Sequence, residues 1–508
     1  MPDKSTDQTR RSFLKTTSAV GGVVACGWQP ATLLAQARKR TALKAGDLET
    51  SLKILNLFSE KPETVNKLYS AIYAALKASP TTRFEAVSKD ETVAALCQGL
   101  NRNHLGGPML GNLKEDGASV WVRTLKPAKV VVKVTVNGET RSFGPVESSF
   151  DSDLTATVEV TGLPAGTTSP YQVFVDGKEI AAPDHAAIQT PSTDKSEACN
   201  IVFGTCQHRW GLGNEKLAQQ IVRRRPLAFL NYGDIAVQDR RADFGMQRAD
   251  YALRDFHPAW TNIVSSIPVY TSWDDHDYAD NDCWGLKGLE TEAGKQGTRK
   301  IFTQSWNNPY DGFGDDGGGI FHHSRIGPCD VIMTDGRYFR EAKGKHCFFG
   351  KEQMAWLKKT LLACQGQFII LAGGTMWFDY VSGGKDGLGR FDPEAKEEIF
   401  DFIEANKIPG VLLVSGDRHG ARGFKTERPS GFTFYEFEPA SLGGRSGPPA
   451  KPRRAEKQQL FGISGKYAFG EFTFDVSKPD PEVAFRLIGE EGEVIHELAL
   501  TRSQLTPG

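Results

Sequence analysis

The stretch Pro268-Val269-Tyr270-Thr271-Ser272-Trp273-Asp274-Asp275-His276-Asp277 sets a short apolar run directly against four consecutive ionisable side chains. A run of β-branched and aromatic residues after a proline predicts a buried strand. Four ionisable groups beside it repel one another and lose hydration, unless the loop is fully solvated or cations neutralise it. The arrangement recurs. Ile201-Val202-Phe203 runs into Gly204-Thr205-Cys206-Gln207-His208, Leu227-Ala228-Phe229-Leu230 into Asn231-Tyr232-Gly233-Asp234, and Gly410-Val411-Leu412-Leu413-Val414 into Ser415-Gly416-Asp417-Arg418-His419. Taken singly, each is ambiguous: a Gly-Asp after a strand often makes only a turn or a helix cap, and a lone cysteine is more often an inert core thiol. Sites in α/β sheets assemble at the carboxyl ends of strands, so together the four clusters predict one shared pocket.

Val331-Ile332-Met333 and Phe368-Ile369-Ile370-Leu371 add further buried runs between helical segments, giving an α/β catalytic domain over residues 198–500. Ahead of it, residues 105–197 switch to period-two patterning, as in Ser119-Val120-Trp121-Val122-Arg123 and Ala156-Thr157-Val158-Glu159-Val160, separated by Gly, Pro, Asn and Asp clusters. Short strands at that spacing predict an immunoglobulin-like all-β domain that packs against the catalytic one. Residues 38–104 carry helical spacing, Val65, Leu68, Tyr69, Ile72 and Leu76 among them, and read as a helical lead-in without chemistry. The glycine-rich stretch from Asp311 to Gly319 reads as a flexible insertion, His322-His323 as a surface loop, and Arg223-Arg224-Arg225 as a solvated helix end.

Of 508 residues, 61 are Lys or Arg and 62 Asp or Glu, so no overall field argues for nucleic acid or an anionic membrane as partner. Thr9-Arg10-Arg11-Ser12-Phe13-Leu14-Lys15 matches the twin-arginine export signal, and the apolar stretch Ala19 to Ala25 after it is too short to span a membrane. With Ala35 and Ala37 as the cleavage site, residues 1–37 read as a signal peptide engaging the twin-arginine export machinery. The mature chain, with no transmembrane segment, would then be periplasmic or extracellular. Val23-Val24-Ala25-Cys26 alternatively fits a lipid-anchor box at Cys26. Six of the cysteines left after cleavage could pair in an oxidising compartment if Cys206 ligates a metal, but spacing does not say which.

The order Cys-x-His, Gly-Asp, Asp-Asp-His-Asp, Gly-Asp-x-His resembles the calcineurin-type metallophosphoesterase plan in one variant, the PhoD-like alkaline phosphatases. The likeness extends to Asp116-Gly117-Ala118-Ser119-Val120-Trp121-Val122-Arg123, to Asp335-x-Arg337 and to Gln353-x-x-Trp356-Leu357, spanning roughly residues 106–490. It implies two mixed sheets packed as a β-sandwich between helices. It also implies two metal ions, iron plus calcium or another divalent cation, that activate a water for hydrolysis of a phosphate ester. By motif position Cys206, Asp234, Asp275, Asp417 and His419 would be metal ligands, with Asp234 bridging; a carboxylate can span two ions about 4 Å apart, and a thiolate favours a soft transition metal. His276 would protonate the leaving alkoxide or hold phosphate, and Asn281 and Arg337 are candidate phosphate contacts. Arg337, like Arg418, could instead pair with neighbouring carboxylates.

One departure stands out: the family commonly carries a tyrosine ligand three residues beyond the bridging aspartate, and here that place is Val237. His208, two residues after Cys206, is the expected replacement, because ordinary relatives use an Asp-x-His pair at this turn. The nearest alternative activity is a phosphodiesterase for nucleotides, phospholipid head groups or envelope polymers. A different class is an inactive binding protein that uses its immunoglobulin-like domain. An exported iron oxidoreductase is disfavoured by the absence of haem or iron–sulfur cysteine spacing.

Overall fold

The computed structural model describes residues 46–508 apart from 311, 315, 316, 379, 381–385 and 444–456. The export signal, its cleavage site and Cys26 lie outside the described residues. Among the described residues, no helix is long and apolar enough to cross a membrane.

Helices Leu48–Leu55, Glu63–Leu76, Phe84–Lys89 and Glu91–Gly99 follow the apolar spacing, the first capped by Asp47 accepting from Thr50 N–H at 2.7 Å. Leu68, Ile72 and Leu76 turn inward and pack with Trp210, Met246, Leu253 and Phe256 of the α/β region. The following region is all-β. Strands His104–Lys114, Gly117–Thr124 and Thr155–Val160 form one sheet; Lys129–Val136, Glu139–Glu147, Thr168–Val175 and Lys178–Glu179 form a second, with Ala187–Gln189 paired to Thr168–Val175. This region docks on the α/β region after it: the phenolic O–H of Tyr171 donates to Ser265 C=O at 2.8 Å, and Leu113 N–H donates to the Tyr270 oxygen at 2.8 Å.

Two mixed sheets build the α/β region. The first runs in the order Val269–Ser272, Ala228–Tyr232, Cys199–Gly204, Ala468–Asp475, Glu482–Gly489, Val494–Thr501. The second runs His322–Ile326, Cys329–Met333, Phe368–Ala372, Val411–Val414, Thr433–Pro439, Ala421–Glu427, Gln459–Ile463. Their inner faces meet through aromatic pairs, Phe203 on Phe472 at 4.6 Å and Phe437 on Phe485 at 4.4 Å between ring centroids, and helices such as Phe244–Asp255 and Lys351–Ala363 lie outside. Cys199–Gly204, Ala228–Tyr232 and Val269–Ser272 are mutually parallel, as are Cys329–Met333, Phe368–Ala372, Val411–Val414 and Thr433–Pro439, so the loops after them share one rim.

One expectation needs correction. His322 and His323 are not in a surface loop. They open an edge strand whose alternation buries His322 completely and pairs His323 with Asp330 at 2.8 Å. The seven described cysteines are all free thiols.

Candidate active site

Each predicted cluster leaves its strand through a turn that bends the chain back over the rim. The turns are tied together by backbone hydrogen bonds: Cys206 N–H donates to Gly233 C=O at 3.1 Å, and His208 N–H to Asp234 C=O at 2.6 Å. Asp277 braces the second turn by accepting Ile235 N–H at 3.0 Å and Ala236 N–H at 3.3 Å. Glu438 braces the last one, accepting Arg418 N–H at 2.8 Å.

The result is a set of overlapping metal-capable groups. Cys206, Asp234 and His419 bring one ligand atom each within 4.8 Å of one another; so do Asp234, Asp275 and His276; so do Asp274, Asp275 and Asp417. Asp234 belongs to two of these sets and Asp275 to two. His208 lies against them, its ring stacked on His419 at 5.2 Å and its Nε2 3.7 Å from Asp234 Oδ2. Eight of the nine sequence-predicted residues, all but Asn281, thus meet in or beside this pocket. Arg337, fully buried, pairs with Asp274 at 2.6 Å and with Asp386 at 3.1 Å. Asn281 is exposed and belongs to none of the groups.

The electrostatics of the protein alone are unfavourable, which is the test of whether a cation fits. Asp234 Oδ1, Asp274 Oδ2 and His208 Nε2 are buried without a hydrogen-bond partner. Burial, and then the charges of Asp275, Asp277 and Asp417, push the Asp234 carboxyl well above its ordinary range, although His276 opposes this. The Cys206 thiol is driven up by burial and by Asp234. Burial lowers His208 to about 3, keeping it neutral, the form that ligates. Orphaned oxygens, a neutral imidazole and a thiol buried together are donors for cations.

His276 differs. Burial would lower it, but Asp239, whose Oδ1 lies 2.6 Å from its Nδ1, outweighs that together with Asp275 and Asp234, and the imidazole stays protonated well above its usual range. Asp239 and Gln238 were not singled out in the sequence, although they follow Val237, the position that departs from the family pattern. Asp386, which neutralises Arg337 and forms a further carboxylate group with Asp275 and Asp282, had no local signal at all.

A sequence family described as PhoD-like phosphatase matches residues 237–478, and a domain of unknown function, DUF7800, matches residues 102–193. The chain carries a PhoD-like phosphatase domain over residues 237–478. It is therefore a phosphoric ester hydrolase, and the matched residues include Asp275, His276, Asp417 and His419. The solved structure of PhoD superposes with a TM-score of 0.63 at 14% identity, covering 79% of this chain and 91% of that one. That likeness is one of fold. GAP50, the anchor in the inner membrane complex of Plasmodium, aligns over 60% of this chain and 89% of its own at 14% identity and TM-score 0.35. A dimetal phosphatase from Danio rerio aligns over 60% and 99% at 13% identity and TM-score 0.38. Both scores are too low to carry an argument. No curated protein sequence matches the chain significantly.

Proposed function

We propose that this pocket holds two cations and hydrolyses phosphate mono- or diesters. Cys206, Asp234 and His419 would hold one ion, Asp234 and Asp275 the other, with Asp417 beside them. What carries the reading is that Asp234 and Asp275 each belong to overlapping ligand sets while Asp234 Oδ1 has no partner within the protein. The thiolate and imidazole side suits iron or another transition metal, and the carboxylate side suits calcium or another hard divalent ion. Such a pair, when bound, lowers the pKa of a water and clamps the phosphoryl oxygens.

The chain's own residues do the rest. His276, its Nδ1–H directed at Asp239, holds at Nε2 the proton that a departing alkoxide requires. Arg337 acts through Asp274, fixing that carboxylate against the rim. His208 supplies an imidazole where the family's tyrosine is missing, and Asn281 is a phosphate contact only at the mouth. The twin-arginine motif supports export to the periplasm or exterior, with lipidation at Cys26 as a variant of it. The experiment is metal analysis of purified protein with paired assays on a phosphomonoester and a phosphodiester, before and after chelation. Bound metal near two per chain with chelator-sensitive turnover is expected; turnover indifferent to chelation overturns the proposal.

A further inference from the structure

We propose that Gln238, held in place by Asp250, is a positioning residue that fixes His208 in its Nδ1–H tautomer and so turns the Nε2 lone pair toward Asp234. The inference rests on the two-cation reading and adds to it the groups that make His208 a ligand.

Gln238 is fully buried, with its Oε1 2.8 Å from His208 Nδ1 and its Nε2 3.2 Å from Asp239 Oδ2. An ionised carboxylate only accepts, so the amide donates to Asp239 and presents its oxygen to His208. His208 must then donate from Nδ1. The other nitrogen, Nε2, is left as a lone pair 3.7 Å from Asp234 Oδ2, with no hydrogen-bond partner. His276 Nδ1 also lies 2.9 Å from the Gln238 amide nitrogen. That ring already donates to Asp239, so the contact is two donors converging on one carboxylate.

The tautomer holds only if the loops bearing the two residues keep their spacing, and one buried carboxylate ties them. Asp250 Oδ2 accepts Gln238 N–H at 3.2 Å and Arg240 Nε–H at 2.7 Å. Its Oδ1 accepts from Arg240 Nη2 at 2.6 Å and from Arg209 Nη1, next to His208, at 2.9 Å. The helical segment closes the outer side: Arg209 Nη1 reaches Ser51 Oγ at 3.3 Å, and Arg240 Nη1 donates to Gly46 C=O at 3.2 Å. A ligand's second nitrogen is commonly fixed this way, at a typical value of about 10–100-fold in metal affinity.

The test compares full-length wild type, Gln238→Met and His208→Ala for bound metal per chain, kcat and KM on a chromogenic phosphoester, and thermal midpoint. Gln238→Met keeps the side-chain length and removes both the amide oxygen and the amide nitrogen. Its midpoint should stay near wild type while metal affinity weakens about 10–100-fold, kcat falls, KM barely moves, and excess metal restores turnover. Wild-type metal affinity in Gln238→Met, with loss of metal in His208→Ala, overturns this inference alone. Full retention in both overturns the ligand role of His208 as well. Should Gln238→Met fail to fold, spectra of chelated, 15N-histidine-labelled wild type decide: the resonance missing in His208→Ala is expected to be protonated at Nδ1, and protonation at Nε2 refutes the proposal.

Discussion

Gly233 offers a measurement of how tightly the site's turns are locked. It sits at φ +104°, and a Cβ there would lie 2.5 Å from Asp274 Cβ and 2.9 Å from Asp274 N, closer than packed atoms approach. Gly138, in the Asn137-Gly138 hairpin turn of the N-terminal region, has φ +84°, and a methyl group there would meet no atom within 4 Å. Both substitutions to alanine carry the cost of a left-handed backbone, about 1–2 kcal/mol. Only Gly233→Ala must also displace Asp274, which Arg337 grips at 2.6 Å, and overpacking of this kind adds about 1–3 kcal/mol. Asp274 and Asp275 move together, and a shift approaching 1 Å at a reacting centre lowers the rate about 100-fold. Denaturant midpoints and initial rates of phosphoester hydrolysis should therefore separate the two variants. Gly138→Ala is expected to lose stability and keep kcat; Gly233→Ala should lose more stability and most of its activity. Equal kcat in the two would refute the claim that the Gly233 and Asp274 backbones are packed at a fixed distance.

Asp239→Asn removes the charge that lifts His276, so the protonated imidazole is lost at lower pH and the alkaline limb of kcat should move down; a limb that stays in place rejects His276 as the proton donor. In chelated protein the Asp277 carboxyl, raised by burial to about 6, holds its proton more tightly folded than unfolded. Stability should then fall by a few kcal/mol as pH rises between about 4 and 6, a decline followed by calorimetry. Arg337→Leu strands the Asp274 and Asp386 carboxylates and should cost about 3–5 kcal/mol in chemical denaturation.

The fold was legible where period and burial agreed. Val269–Ser272, Ala228–Tyr232, Cys199–Gly204 and Val411–Val414 are strands because each is a short β-branched or aromatic run ending in glycine or an ionisable cluster, and those ends also marked the site. The misreading at His322-His323 has the same physics in reverse: two polar residues look solvated until an edge strand buries one and a neighbouring carboxylate neutralises the other. Gln238 and Asp250 escaped notice because their roles depend on partners 30 and 41 residues away, which no local pattern reports. Asp386, between Lys385 and Gly387, looks like any turn aspartate until Arg337 is beside it.

What joins the strands to the chemistry is backbone conformation. Cys206, His208, Asp234, Asp417 and His419 all sit at positive φ, between +48° and +75°, although none is glycine. Each such residue costs on the order of 1–3 kcal/mol and persists only where the surroundings over-determine it. Here they do: the parallel strands fix where each turn begins, and Gly233 C=O, Asp234 C=O, Asp277 and Glu438 accept the amides that would otherwise be orphaned. A left-handed residue just past a strand end reverses the chain so that its side chain is held at the rim and cannot follow the strand's alternation into the core. The strain is the means by which separate strand ends direct a thiol, two imidazoles and two carboxylates at one volume. Cations that relieve the resulting repulsion would then stabilise the very turns that create it.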